Sequence, residues 1–500
     1  MHKPDNNQQI LLIAGISVLW ALVVMILYPA FTGDDSFIHL AFINSMAESG
    51  KFAFAGNVTN GSTAPLWVLL NSFLALTGID PYWIMRTLSL MFGMGVLVMV
   101  FKIARYIRLD GWLLWSVVII SGLNAYFMRW GFTGMETTAA MFFLLAGTYL
   151  LLTVHNNSGY ALIGLCFGAG TLLRPEIFLF FLLLVFHQLF LRKKLFYGEG
   201  LTQSGILLIS GILPILLWSI YAFNTFGSVL PNTFDAKTGS GLLEPSFHNL
   251  ERNLKLMVSG NFPEIIAIAG MAGLLLFSCS PGNIKNQIGK NLMNFLKSGK
   301  GLVFLWFIGF YGYYTGKDVI ILSRYALLLM PFVVLFTGWL ISQLQKNTCF
   351  SGSTNMIATG WLISAILFHG FFTFAYVKPA SDKFASGFQQ TYTEMANILS
   401  EKNLNGSVAL TDVGIIGLKS RMKIYDLAGL TDHRRFDYED AASYVQAKKP
   451  THIILREDYE IEVLLDEKAE FEVIFENHIP GFGINEPEYR YVRMYEIRWH

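Results

Sequence analysis

The sequence predicts a polytopic α-helical membrane protein that ends in a small soluble α/β domain. Three observations carry this. The 500 residues are 53% hydrophobic and only 14% charged, whereas soluble domains carry about 25% charged residues. The apolar residues are gathered into runs of the length that crosses a hydrocarbon core, about 20 residues, and these alternate with short polar stretches up to about residue 377. Beyond that point the composition becomes that of an ordinary soluble domain.

Taken in order, the expected spans are 9–28, 84–104, 111–128, 135–153, 159–173, 175–191, 204–224, 262–280, 302–315, 323–344 and 355–377, about eleven in all. The first is too long for a typical signal-peptide core and lacks a small-residue cleavage site, so it reads as a retained span. A further apolar stretch, 64–78, is short, and Gly78 and Pro81 break it from the next helix. Orientation decides its place. Cytoplasmic loops are rich in Lys and Arg. If 64–78 only dips in from the outer face, three basic clusters fall on the inner side: Arg105 with Arg108; Arg192, Lys193 and Lys194; and Lys285, Lys290, Lys297 and Lys300. We therefore expect 64–78 to be an outer-face juxtamembrane helix. The outer face then gathers four polar segments: 29–63, 129–134, 225–261 and the tail from 378.

The expected domains are thus a membrane domain, 1–377, and an extracytoplasmic α/β domain, 378–500. In the tail, 407–412, 422–426, 451–455 and 471–475 read as strands, and 434–448 and 457–469 have helical spacing. The net charge of +1, from 36 basic and 35 acidic residues, gives no sign of a nucleic-acid partner. Cys166, Cys279 and Cys349 have neither a metal-binding spacing nor a disulfide pattern.

The sharpest chemical feature is the pair Asp34 and Asp35 just after the first span. A carboxylate at the membrane edge can take the proton of an attacking hydroxyl. It can equally well cap a helix, because acidic residues favour helix N-termini. Arg129, Arg174, Lys237 and Arg324 share the same face. Arginine grips phosphate through paired hydrogen bonds, although snorkelling and pairing with Glu136 or Glu176 account for such residues as well. The donor-phosphate set expected is Arg129, Arg174 and Lys237. The substrate-binding set is His39, Asn60, Trp67, Glu136, Glu176 and Asn232. His39 lies one turn beyond Asp35. Trp67, Tyr82, Trp83 and Trp130 suit stacking on sugar rings or an interfacial aromatic belt alike.

These features, in order, resemble a known family. A double Asp in the first outer loop marks the membrane glycosyltransferases of the C superfamily (GT-C). The strings DDSFIHLAF at 34–42, NGSTAPLW at 60–67, GMET at 134–137, RPE at 174–176, LPNTFDAK at 230–237, DVGIIG at 412–417 and YDLAGLTD at 425–432 look like the branch that includes the mycobacterial terminal arabinofuranosyltransferases. The likeness runs from the first loop to about residue 432. It departs at Asp235, where the related string carries an aromatic. The resemblance implies transfer of a sugar, such as arabinofuranose, from a polyprenyl-monophosphate lipid to a glycan, lipid or protein acceptor. Transfer would be with inversion, outside the cytoplasm of a bacterial inner membrane, with Asp34 or Asp35 as base. With a monophosphate leaving group, cationic side chains suffice and no metal or cofactor is required, although paired Asp residues are also able to bind a metal. The alternative from another class is a transporter or lipid-linked sugar flippase. Such proteins show internal repeats with polar residues at the midplane, and no repeat is visible here.

Overall fold

The computed structural model describes residues 6–191, 198–234, 247–277, 298–317, 319, 321–345, 354–402, 406–457, 461–465, 468–480 and 489–500. Lys237, Asp235, the basic run 192–194, and Lys285, Lys290 and Lys297 lie outside these residues.

The chain begins with α1 (Asn6–Leu27), apolar on every side. Val24, Trp20 and Ile13 face inward while Leu11 and Ile26 are 72% and 74% exposed. An outward belt of this kind also includes Ile209, Leu367 and Phe371. A water-soluble protein would bury such a surface; here it is the face for lipid. Among the described residues, four helices are long and apolar enough to cross a membrane: Asn6–Leu27, Pro81–Tyr106, Gly200–Phe226 and Asn355–Glu401. Shorter apolar helices pack among them. The protein is therefore a multi-pass helical membrane protein with a small C-terminal sheet domain.

After α1 come α2 (Asp34–Ser49), the hairpin β1 (Ala53–Phe54) and β2 (Asn57–Val58), and α3 (Pro65–Ala75). At 11 residues, α3 is only about 16 Å long, too short for a core about 30 Å thick. Then follow α4 (Pro81–Tyr106), α5 (Gly111–Leu123), α6 (Ala125–Trp130), α7 (Thr137–Thr153), α8 (Asn157–Leu173), α9 (Glu176–Phe186) and α10 (Gly198–Phe226). The single run expected over 111–128 is divided at Asn124. Its side chain caps α6 by accepting from the Phe127 amide and donates to the Gly260 carbonyl. The run expected over 323–344 is likewise divided, into Ser323–Ala326 and Met330–Gln345.

Buried Arg86 on α4 ties the segment after α1 to the segment before α7. It donates to the carbonyls of Tyr28, Pro29 and Phe132 and to the Tyr82 hydroxyl, at 2.6–3.2 Å. One guanidinium thus satisfies carbonyls that two helix-free segments leave open.

No loop separates the membrane domain from the tail. The helix that crosses the membrane runs on as Asn355–Glu401, with widened π-turns at Thr373–Val377 and Ala385–Gln389. Beyond it stands a five-stranded sheet of order β4-β3-β5-β7-β6, made of β3 (Ser407–Leu410), β4 (Lys423–Asp426), β5 (His452–Arg456), β6 (Ala469–Pro480) and β7 (Tyr489–Trp499). β3 lies parallel to both β4 and β5, with helices Val413–Lys419 and Ala441–Lys448 in the crossovers. β6 and β7 complete it as an antiparallel pair.

Candidate active site

Gly33 is extended and starts α2, so Asp34 and Asp35 fall in its first turn, where the helix dipole favours negative charge. Successive helical residues point about 100° apart, and the two carboxylates accordingly have different partners. Asp35 pairs with Arg324 of the Ser323–Ala326 turn. Asp34 turns toward the tail and accepts from the amides of Gly414 at 3.1 Å and Ile415 at 3.3 Å. Burial, with Asp412 and then Asp35 close by, pushes the Asp34 carboxyl well above the usual carboxylate range, and those two amides pull it partly back.

Asp35, Ile38 and His39 share the inner face of α2 and line a cavity of about 370 Å³. Its other walls include Ser62, Glu136, Arg174, Thr233, Arg324, Tyr325 and, from the tail, Leu430. One side is a connected polar chain. Ser62 Oγ lies 3.4 Å from His39 Nδ1, and His39 Nε2 lies 3.2 Å from Glu136 Oε2. Arg174 Nε stands 3.4 Å from Glu136 Oε1, and Arg174 Nη1 stands 3.9 Å from Glu176 Oε1. Glu176 in turn accepts from the Tyr314 hydroxyl at 2.6 Å. The Arg174 guanidinium lies over the Tyr325 ring, 4.3 Å from its centre. Arg174 and Arg324 are both buried, and each keeps a buried N–H that is not hydrogen-bonded within the protein: Nη2 of Arg174 and Nε of Arg324.

The structure therefore brings Asp35, His39, Glu136 and Arg174 to one cavity, with Glu176 directly behind. Asp34 sits beside it, turned away. Arg129 is buried beneath the Phe31 ring, 4.5 Å from its centre, outside the cavity lining. Trp67 is fully buried and donates to the Gly134 carbonyl. Asn60 and Asn232 are stitches: Asn60 donates to the Leu230 carbonyl at 3.0 Å, and Asn232 donates to Thr59 Oγ1 at 2.8 Å. They hold the segment that carries Thr233 against the wall. Lys237 lies outside the described residues. Ser62, Tyr325 and Leu430 line the cavity without having stood among the expected site residues. Arg324 had been counted only among the basic residues of this face.

Fold and cavity together define the class: the chain has the fold of the GT-C glycosyltransferases. ArnT from Cupriavidus metallidurans bound to undecaprenyl phosphate superposes with a TM-score of 0.58 over 98% of both chains at 11% identity. The Archaeoglobus fulgidus oligosaccharyltransferase tethered with an acceptor peptide gives 0.54 over 89% of this chain and 69% of that one, also at 11% identity. Arabinofuranosyltransferase AftD from Mycobacteria gives 0.51 at 10% identity, over 97% of this chain and 41% of that chain. A domain of unknown function (DUF8728) matches residues 383–496. No curated protein sequence matches the chain.

Proposed function

We propose that this protein is a membrane glycosyltransferase that moves a sugar from a polyprenyl-monophosphate lipid to a hydroxyl acceptor, with inversion. The observation that carries the proposal is the make-up of one cavity: a carboxylate, Asp35, opposite two buried arginines, Arg174 and Arg324, that retain unused N–H donors. Structures of this fold hold undecaprenyl phosphate and, in the archaeal oligosaccharyltransferase, a dolichol-phosphate, which fits a donor of that class here.

The acceptor oxygen attacks the anomeric carbon while the bond from that carbon to the phosphate oxygen breaks. Asp35 takes the acceptor proton, and the polyprenyl phosphate departs carrying the bonding electrons. Arg174 and Arg324 stabilise the charge growing on the phosphate. Arg324 is paired with Asp35. An arriving phosphate competes for that guanidinium and frees Asp35 to act as base. His39 and Glu136 keep Arg174 in place and present polar atoms to the sugar. Two guanidinium groups supply the positive charge that the departing phosphate needs, so the proposed step requires no metal or cofactor.

The site is assigned to the extracytoplasmic side of a bacterial inner membrane. Arg86 on α4 contacts the outer loops, whereas Lys102 and Arg105 lie at the far end of that helix, about 39 Å long for its 26 residues. Positive residues mark the inner side. A pentofuranose such as arabinofuranose is the first donor to try, since the motif order resembles that branch.

Purified protein offered polyprenyl-phosphate pentoses and hexoses with crude envelope acceptor is expected to transfer one of them. Asp35→Asn is expected to lower turnover about 10²–10⁴-fold. Transfer that survives in Asp35→Asn removes the base assignment. Absence of transfer from every donor, in folded protein, favours a transporter and calls for a flux assay.

A further inference from the structure

The two adjacent carboxylates divide their labour, and the second one has a task of its own. Asp34 lies where the membrane domain meets the tail, and the fit there is close. A Cβ added at Gly414 would lie 2.6 Å from Asp34 Oδ1, so only glycine lets the tail's backbone approach the carboxylate. A second contact lies across the cavity. A Cβ at Gly61 would stand 2.9 Å from the Leu430 carbonyl oxygen and 3.3 Å from Thr431 Cα. Gln389 donates to the Thr32 carbonyl, two residues before Asp34, and Phe54 packs against Gly417.

Between these contacts the tail segment Leu427–Thr431 is held rigid. Buried Asp426 accepts from the amides of Ala428, Gly429 and Thr431 and from the Thr431 hydroxyl, at 2.7–3.1 Å. The segment ends with Leu430 in the cavity wall. The tail is thus part of the cavity, and what fastens it there is the residue next to Asp35.

We infer that Asp34 is a positioning residue: it clamps the tail domain through the Gly414 and Ile415 amides, which sets the orientation of Asp35 and seats Leu430 in the cavity wall. This rests on the glycosyltransferase proposal for its catalytic consequence but not for its docking consequence. A base must be charged and free to take a proton; the clamp uses both carboxylate oxygens as acceptors, Oδ2 for the Gly414 amide and Oδ1 for that of Ile415. Asparagine keeps one of the two acceptors, and alanine removes both.

The test compares Asp34→Asn, Asp34→Ala and Asp35→Asn in the full-length protein in lipid nanodiscs, by hydrogen–deuterium exchange and by transfer kinetics with whichever donor the panel identifies. Asp34→Asn, which keeps one of the two acceptor oxygens, is expected to speed exchange in 413–419 less than Asp34→Ala does and to lose less turnover than Asp35→Asn, short of the loss of a general base. Asp34→Ala is expected to speed exchange in both segments while α4 and β5 stay protected, which shows that the fold persists. Its kcat is expected to fall about 10²-fold, the scale of a misplaced catalytic group, with the donor KM changed less than in Arg174→Ala, because Arg174 is held by Glu136 rather than by Asp35. Asp34→Asn as inactive as Asp35→Asn, with protection intact, would make Asp34 a catalytic group and overturn the inference. Unchanged exchange in Asp34→Ala would overturn the clamp. If no donor supports transfer, the glycosyltransferase proposal fails, and the exchange measurement still decides the docking.

Discussion

Residues four apart on a helix share a face and neighbours do not, and this one rule sorts the chemistry of α2. It places His39 with Asp35 on the cavity side and turns Asp34 to the tail. The double Asp, GMET and RPE were legible as local strings, and they supply Asp35, Glu136 and Arg174. What could not be read is who meets whom. Asp35 and Arg324 stand 289 positions apart, and Tyr314 reaches Glu176 over 138; no local spacing encodes either pair. Trp67 and Asn60 lie outside the cavity lining, where they donate to the Gly134 and Leu230 carbonyls; a motif string does not say which of its residues will face a cavity. Arg174→Ala should raise the donor concentration needed for half-maximal transfer by one to two orders of magnitude, since a charge-assisted hydrogen bond is worth about 1.5–3 kcal/mol. A donor titration at fixed acceptor measures this; an unchanged midpoint would take Arg174 out of phosphate binding.

At the scale of elements, small residues decide how closely the membrane helices approach. On α8, a Cβ at Gly164 would lie 2.5 Å from the Leu207 carbonyl oxygen on α10, and one at Gly168 would lie 3.1 Å from the Pro214 ring. Spaced four apart, these glycines let two backbones touch, the usual device where no hydrophobic effect drives helices together. Gly164→Ile should force α8 from α10 and cost about 1–3 kcal/mol, the price of overpacking. A lowered thermal midpoint in detergent would register it, with Gly205→Ala, which meets nothing within 4 Å, as the neutral control. Most apolar runs were legible because lipid demands long ones. The breaks at Asn124 and at 327–329 were not, since the flanking residues stay apolar and only tertiary partners reveal the joints. β7 was missed because Arg490, Arg493 and Glu496 recur every third residue and blur the two-residue period. The structure shows why they are tolerated: Arg493 pairs with Glu476, and Arg498 with Glu472, across β6.

For the molecule as a whole, the boundary near 377 was legible as a change of composition, but composition says nothing of how two domains are joined. Within the tail, the segment that walls the cavity is held by one buried acid with a shifted proton affinity. Burial pushes the Asp426 carboxyl up to about 6, against the pull of hydrogen bonds from Thr431, Ala428 and Gly429. A carboxyl that ordinarily titrates near pH 4 therefore binds its proton more tightly in the folded tail. Its contribution to stability is complete below about pH 4 and is lost as pH rises through about 6. The tail's melting temperature should fall over that window, and Asp426→Asn should remove this slope while loosening 427–431. A melting temperature that rises over the same window would contradict the assignment.

The uninterrupted helix Asn355–Glu401 acts as a shaft about 70 Å long. One end is set in lipid, and the other bears the domain whose Leu430 walls the cavity. Adding a single residue near its middle would swing everything beyond it by about 100° and lift it about 1.5 Å. Gly61 would then no longer meet Leu430. A shaft also gauges its bearing: a thicker or thinner bilayer tilts the embedded end, and the far end carries that tilt to the mouth of the cavity. A change of bilayer thickness should therefore reach the cavity wall through this helix.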